Sequence, residues 1–232
     1  KGGGTMARLT FLGHAAFRVE GGGLDGLIDP FLTGNSMTPF SPEDFKDVNF
    51  IFVTHGHGDH LGDTPAIAKR TGATVVATVE MCDVLKGVKC HPLQIGGAFT
   101  FPFGRVKMTP AWHGSGVQGG EGEGMAYGGV AGGFLLEVDG RRIYHAGDTG
   151  LTVEMGLLAE DGVDVALLPI GGNYTMDIDD AVRAVRMIKP RVAVPMHYNT
   201  FPLIKASPEE FASKASGLAE IRILKPGEIL EV

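Results

Sequence analysis

Residues 54–60 read Thr54-His55-Gly56-His57-Gly58-Asp59-His60, placing three histidines and an aspartate within six positions. Such a set makes a poor core and poor surface filler, but imidazole and carboxylate are good ligands for zinc and its neighbours. In an extended stretch, side chains two positions apart point the same way, so His55 and His57 can grip one ion. Gly56 and Gly58 are expected to let the backbone turn sharply between ligands. Asp59 and His60 then face a second position. The competing reading is an ordinary polar turn after a strand.

Three more candidates stand at the ends of other apolar runs. His113 lies in Pro110-Ala111-Trp112-His113-Gly114, repeating the histidine–glycine pattern of the first cluster. Asp148 lies in Ala146-Gly147-Asp148-Thr149-Gly150, a glycine-flanked carboxylate suited to a cation. His197 follows the run 191–196. Strand ends on one edge of a layered fold can converge, whereas mid-strand residues cannot. Seven ligands are too many for one tetrahedral zinc with an open position, and they fit two metals sharing a carboxylate. Other residues have two open readings each. Asp29, before Pro30, is either a partner for a ligating histidine or a turn-starting aspartate. His14, between two strands, either lines a pocket or is structural, and His145 faces either the site or the packing. Asn173, Tyr198 and Asn199, in loops after strands, are further candidates for contact with the ligands or a substrate. His91 reads as ordinary.

The elements that must position these groups follow from periodicity and turn chemistry. Runs 8–12, 16–20 and 26–29 read as strands, with Gly21-Gly22-Gly23 turning between the last two. The apolar run 50–53 is a buried strand that delivers the first cluster. Thr64 looks like an N-cap with Pro65 opening a short helix that Gly72 stops. Strand 73–78, helix 79–86 and strand 88–91 follow. A hairpin spans 99–108, turning at Phe103-Gly104. Asp139-Gly140 supplies the two positive φ values of a tight turn between strands 134–138 and 141–145. Residues 153–160 read as helix and 163–170 as strand. A helix capped near Thr175 or Asp177 ends at Pro190, with Ile178, Ala181, Val182, Val185 and Ile188 on one face. Residues 208–216 form a closing helix before short strands at 220–225 and 228–232. The glycine-rich stretch 114–133 is either a lid touching substrate or a long hairpin connection.

Bulk properties bound the function. At 232 residues with 44% hydrophobic content, the chain can bury a sizeable core as one domain. Lys1 to Thr5 precede the first Met and read as a cloning remnant, leaving 6–232 as the domain. A net charge of −7 without a basic cluster argues against a nucleic-acid partner. No apolar stretch approaches a membrane span. Cys82 and Cys90 form no disulfide framework and read as free thiols in a reducing cytoplasm. Oligomeric state is left open, with a homo-oligomer allowed.

The set His55-x-His57-x-Asp59-His60, His113, Asp148 and His197 resembles the full ligand pattern of the metallo-β-lactamase superfamily, and nothing in the chain departs from it. Segments such as Gly13-His14-Ala15-Ala16-Phe17, Ile28-Asp29-Pro30-Phe31 and Met196-His197-Tyr198-Asn199 look like a little-characterised family of metal-dependent hydrolases within it. That family is similar to the ascorbate-6-phosphate lactonase and N-acyl-phosphatidylethanolamine phospholipase D branches. The resemblance implies an α/β fold, a four-layer αββα sandwich with the site at one edge of two mixed sheets. It also implies His55, His57 and His113 on one metal, Asp59, His60 and His197 on another, and Asp148 bridging. Zinc suits an imidazole-rich site best, with manganese or iron as alternatives.

The expected reaction is hydrolysis of an ester, lactone or phosphodiester by a metal-bridging hydroxide. Asp59 orients that nucleophile as the catalytic residue, and His14, His145 and Tyr198 are candidate proton donors. Four positive charges, two carboxylates and a hydroxide leave about +1, which favours a small anionic substrate. Two rivals are a diiron oxidoreductase of the same fold and a non-catalytic metal-binding module. The diiron proteins carry glutamate where His57 stands. A nuclease is a weaker alternative.

Overall fold

The computed structural model of the chain describes residues 6–119 and 123–232. Lys1 to Thr5 and the loop residue Glu121 lie outside them. In chain order the first half runs β1 (Arg8–Gly13), β2 (Ala16–Gly21), β3 (Leu24–Ile28), β4 (Phe50–Phe52), α1 (Gly58–Leu61), α2 (Thr64–Thr71), β5 (Thr74–Thr78), α3 (Val79–Val84) and β6 (Cys90–Leu93). The second half runs β7 (Ala98–Phe101), β8 (Gly104–Pro110), β9 (Gly116–Val117), β10 (Ala126–Tyr127), β11 (Gly132–Val138) and β12 (Arg141–His145). It continues with α4 (Leu158–Asp161), β13 (Val165–Pro169), α5 (Ile178–Ile188), β14 (Val192–Met196), α6 (Pro208–Lys214), β15 (Glu220–Ile221) and β16 (Ile229–Glu231).

The described strands form two seven-stranded mixed sheets and a small ribbon. One sheet has the order β16-β1-β2-β3-β4-β5-β6, the other β15-β14-β13-β12-β11-β8-β7, and β9 pairs with β10. The sheets mate through a core that includes Phe17, Phe52, Phe134 and Val106, with Phe52 edge-on to Phe134 at 5.6 Å. A second apolar cluster joins Ile51, Val53 and Val75 to Ile67 and Ala68 of α2 and Met81 of α3. Helix α5 lays Ala181, Val182, Val185 and Ile188 into the main core. Asp177 caps it by accepting from the Asp180 amide, and Lys189 ends it in the left-handed region. Helices thus lie outside both sheets, and the sandwich expected from the sequence is the fold.

Strand direction places the chemistry. β3, β4 and β5 run parallel, as do β12, β13 and β14. β8 and β12 both pair antiparallel with β11, so they too share a direction. Residues following β3, β4, β8, β12 and β14 therefore emerge at one edge, with the β1–β2 turn beside them.

Several local expectations are corrected. Asp63, not Thr64, precedes the first turn of α2, and its carboxylate accepts from the Leu32 and Thr33 amides instead of capping the helix. The first half of the segment expected as helix at 153–160 is a 3₁₀ turn, Val153–Leu157. The strand expected at 88–91 starts two residues later. Cys82 and Cys90 are not free. Helix α3 packs on the β5–β6 pair and brings their Cα atoms to 5.7 Å, where they form a disulfide. The inference from free thiols to a reducing compartment falls with that pairing. No described helix is long and apolar enough to cross a membrane.

Candidate metal centre

β4 runs out through Val53 and Thr54 into the histidine cluster. His55 Nε2 lies 3.0 Å from His57 Nδ1, and His113 Nε2 lies 3.2 Å from that same atom. Three ring nitrogens from two sheets thus converge, and these residues can hold an ion. The glycines do not act as expected. Neither Gly56 nor Gly58 has a positive φ. Gly56 is required by close approach instead, because a Cβ there would meet Val117 Cγ2 at 2.6 Å and Met81 Cε at 2.8 Å. The β9–β10 ribbon packs against the turn at this point. Ser115 Oγ accepts from the Gly56 amide and donates to the Gly128 carbonyl, so the glycine-rich segment is rooted beside the cluster.

Asp59 and His60 sit on α1, just past the extended pair. His60 Nε2 is 3.1 Å from Asp148 Oδ1, and His197 Nε2 is 3.0 Å from Asp148 Oδ2. The same Asp148 oxygen lies 3.5 Å from His113 Nε2, so this carboxylate faces both groups. Asp59 Oδ2 is 3.8 Å from His197 Nε2 and 4.0 Å from His60 Nε2. The loop carrying His113 is clipped to the one carrying Asp148, since the Trp112 amide donates to Thr149 Oγ1 and the Gly150 amide to the Trp112 carbonyl.

The buried atoms show that the site fits a cation. His60 Nε2, Asp148 Oδ1 and both ring nitrogens of His197 are buried without a well-formed hydrogen bond, and beyond their ion-pair contacts with Asp148 the two imidazole Nε2 atoms have no other acceptor at hydrogen-bond distance. Leaving such groups unmade costs about 1–3 kcal/mol each, and coordination to a metal would satisfy them. Burial opposes charge on Asp148, but His60 and His197 outweigh it and hold its carboxyl well below the usual range. Burial likewise opposes charge on His60, while Asp148 and Asp29 outweigh it and hold its imidazolium well above the ordinary histidine range. A bound cation would replace that proton. Burial pushes His55 and His113 down, so both present neutral lone pairs.

Asp29 organises the histidines from behind. It is fully buried at the end of β3, where parallel pairing with β4 sets it beside Thr54. It accepts from the Thr54 amide at 2.8 Å, the Thr54 hydroxyl at 2.6 Å and His60 Nδ1 at 2.7 Å. The Thr54 hydroxyl has given its proton to Asp29, so it accepts from His55 Nδ1 at 3.0 Å. Both imidazoles are thereby turned with Nε2 toward the cluster. Asp29, His55 and His60 also form a compact potential ligand group. Asp29 is nonetheless taken up by three donors, which makes it the orienting partner.

His14 has a similar place. Its Nε2 donates to Asp59 Oδ2 at 3.2 Å, and its Nδ1 accepts from the Thr200 hydroxyl at 2.8 Å. Burial pushes it down to about 4 against the pull of Asp59, so it is neutral. It groups spatially with Asp59, His60 and His197, but both its nitrogens are engaged, so it holds Asp59 in place. His14, Asp29 and His197 all have left-handed backbones, with φ of 60°, 45° and 55°.

Four residues flagged in the sequence are not brought into the cluster. His145 Nε2 donates to the Ala15 carbonyl at 2.8 Å and its Nδ1 accepts from the Gly147 amide at 3.1 Å, leaving no nitrogen for substrate. Tyr198 packs into the main core, its hydroxyl raised by burial and by Glu209 of α6. Asn199 braces its own loop, bonding Ala206 through both ends of its amide. Asn173 is exposed in the loop after β13. Sequence reasoning missed Thr54, Thr200 and an apolar wall. Phe31, Tyr174, Phe201 and Leu203 stand around Asp59 and His197 in a pocket of about 670 Å³.

This fold and edge-sited cluster define a class. The beta-lactamase superfamily domain matches residues 26–198, and the chain belongs to that superfamily, with its metallo-β-lactamase fold. Within it, the chain is a member of the UPF0173 metal-dependent hydrolases. It is 53% identical over 227 residues to such a protein from Carboxydothermus hydrogenoformans, covering 96% of this chain and 99% of that one. It is 51% identical over 224 residues to another from Alkaliphilus metalliredigens, covering 96% and 98%. Among solved structures, the metallo hydrolase Igni18 from Ignicoccus hospitalis shares 40% identity and superposes with a TM-score of 0.89, covering 98% of this chain and 99% of that one.

Proposed function

We propose that this metal-dependent hydrolase works with two divalent ions, zinc being preferred, and cleaves an ester, lactone or phosphodiester of a small substrate. The observation carrying this reading is Asp148, whose two oxygens face His60 and His197 on one side and His113 on the other. His55, His57 and His113 would hold one ion, Asp59, His60 and His197 the second, and Asp148 both. Bound there, the ions supply a water acidified toward a pKa of about 7 and a Lewis acid for the substrate oxygen.

The chain's own groups do the rest. Asp59, partly exposed at the pocket floor, is kept ionised because His14 and His60 outweigh the effect of burial, and it orients the attacking water, which gives up a proton as it attacks. The water oxygen bonds to the acyl or phosphoryl centre, the bond to the leaving oxygen breaks, and that oxygen takes up the proton. His145 and Tyr198 are occupied elsewhere, so neither delivers that proton. A diiron oxidoreductase calls for glutamate at position 57, and His57 instead sets an imidazole nitrogen into the first cluster.

Elemental analysis after reconstitution with zinc, manganese or iron is expected to give two ions per chain. A strong chelator is expected to abolish hydrolysis of bis-p-nitrophenyl phosphate, lactones and p-nitrophenyl esters. One ion at saturation would sink the dinuclear reading. Hydrolysis that survives complete metal removal would sink the mechanism.

A further inference from the structure

We infer that the part of the substrate that does not react is an aliphatic or aryl group, seated in the apolar pocket above Asp59 and His197. This rests on the hydrolase reading above and goes beyond it. The pocket wall is built from three separate loops at the same sheet edge that carries the ligands. Phe31 follows β3, Tyr174 follows β13, and Phe201 and Leu203 follow β14. Tyr174, Phe201 and Leu203 are 52%, 38% and 64% exposed. Scattered single apolar residues on a surface are ordinary. Large ones converging from unrelated loops on a buried polar cluster mark a binding site.

The wall is held in shape before any ligand arrives. Phe31 and Phe201 stack at 6.3 Å with an interplanar angle of 27°, and both set their rings against His14. Phe31 reaches this position because Gly62, at φ 43°, ends α1 against it. A Cβ at Gly62 would lie 2.4 Å from the Pro30 carbonyl oxygen and 2.7 Å from Phe31 Cα. Ile204 is fully buried and anchors the 198–204 loop, while the Asn199 amide ties that loop to Ala206. Phe201 and Leu203 are thus presented outward by a braced segment, and little side-chain or loop ordering is left for binding to supply.

Charge points the same way. No lysine or arginine lines this pocket among the described residues. A phosphorylated metabolite would find none of the guanidinium or ammonium groups that usually grip its free oxygens. Asp29 also changes the charge count of the site. Its carboxylate is fully buried 2.7 Å from His60 Nδ1. Adding it to Asp59, Asp148 and hydroxide brings two divalent ions to about zero rather than +1. The site therefore takes one polarised carbonyl at the ions and an apolar body against the wall. An ester or lactone bearing an alkyl or aryl group has that shape.

The test uses p-nitrophenyl esters from acetate to decanoate and γ-lactones from four to ten carbons, with metal-loaded full-length protein. A second readout titrates the metal-loaded protein calorimetrically with straight-chain carboxylates from acetate to decanoate, whose head groups the ions would hold. Each methylene buried is worth about 0.8 kcal/mol, or roughly fourfold. The expected result is a rise of about twofold to fourfold in kcat/KM per carbon until the pocket is full, and a parallel rise in carboxylate affinity. Leu203→Asn, an exposed position, is expected to flatten both slopes. Hydrolysis with no dependence on chain length, or a preference for phosphate esters over long-chain esters, overturns the inference and leaves the hydrolase reading standing. If no ester, lactone or phosphodiester is cleaved with any metal, the hydrolase reading falls instead. The carboxylate series then decides the pocket: rising affinity upholds it and a flat series removes it.

Discussion

Two buried histidines end two strands of one sheet and are used in opposite ways. His145 closes β12 and His197 follows β14, with β13 running parallel between them. Both nitrogens of His145 are hydrogen-bonded to backbone, whereas both nitrogens of His197 are buried without a hydrogen bond, Nδ1 unpaired and Nε2 facing Asp148 Oδ2 at 3.0 Å. Residue type and strand-end position are therefore not enough to mark a ligand. The distinguishing quantity is the unmet hydrogen-bonding capacity of a group that folding has already removed from water. His145 meets its own hydrogen-bonding needs, and His197 keeps a capacity that a cation could fill.

The largest expected effect breaks that contrast on the ligand side. His197→Ala is expected to lower kcat/KM about a thousandfold, near 4 kcal/mol, with metal content falling by one ion per chain. Stability of the metal-free protein should change by less than about 2 kcal/mol, because the cavity is offset by the removal of two buried nitrogens that make no hydrogen bond. Elemental analysis, kinetics and denaturant melts of chelated protein check this. A full metal complement in the variant would refute the role given to His197.

The middle effect tests the layer behind the ligands. Asp29→Asn keeps the shape but turns one of its oxygens into a donor facing other donors. Metal binding should weaken about tenfold to a hundredfold, as read by competition with a chromogenic chelator. Affinity equal to the parent's would mean that His55 and His60 are oriented without Asp29.

The smallest effect on activity belongs to His145→Ala. It leaves the Ala15 carbonyl and the Gly147 amide unmatched and opens a void, so stability should fall by about 3 kcal/mol. At a temperature where the variant is folded, it should bind two ions and turn over within a few-fold of the parent. Loss of an ion here, as in His197→Ala, would erase the distinction.

The same contrast explains what could be read beforehand. The sandwich was legible because alternating and continuous apolar runs, the Asp139-Gly140 turn and the helix stop at Pro190 all agree with one layered fold. The cluster stood out because histidines and aspartates gather where strands end. Side-chain direction was not legible. Tyr198 is adjacent to His197 yet points into the core, and Asn199 turns back on Ala206. Thr54 stood at the head of the cluster with no role assigned, though its single hydroxyl links Asp29 to His55. Phe31, Phe201 and Leu203 carry no chemistry of their own, and their convergence depends on two loops meeting in space. The Cys82–Cys90 pairing depends likewise on how α3 lies against β6.

The left-handed backbone at His14, Asp29 and His197 carries one more consequence. An L-residue with a Cβ costs about 1 kcal/mol or more in that region, and glycine does not. Glycine at any of these positions would relax the main chain while removing an imidazole or carboxylate that the site requires. A search for heat-resistant variants scored by survival alone would be drawn toward these three positions and would return inert proteins. Directed evolution of this scaffold therefore needs turnover in its screen from the first round.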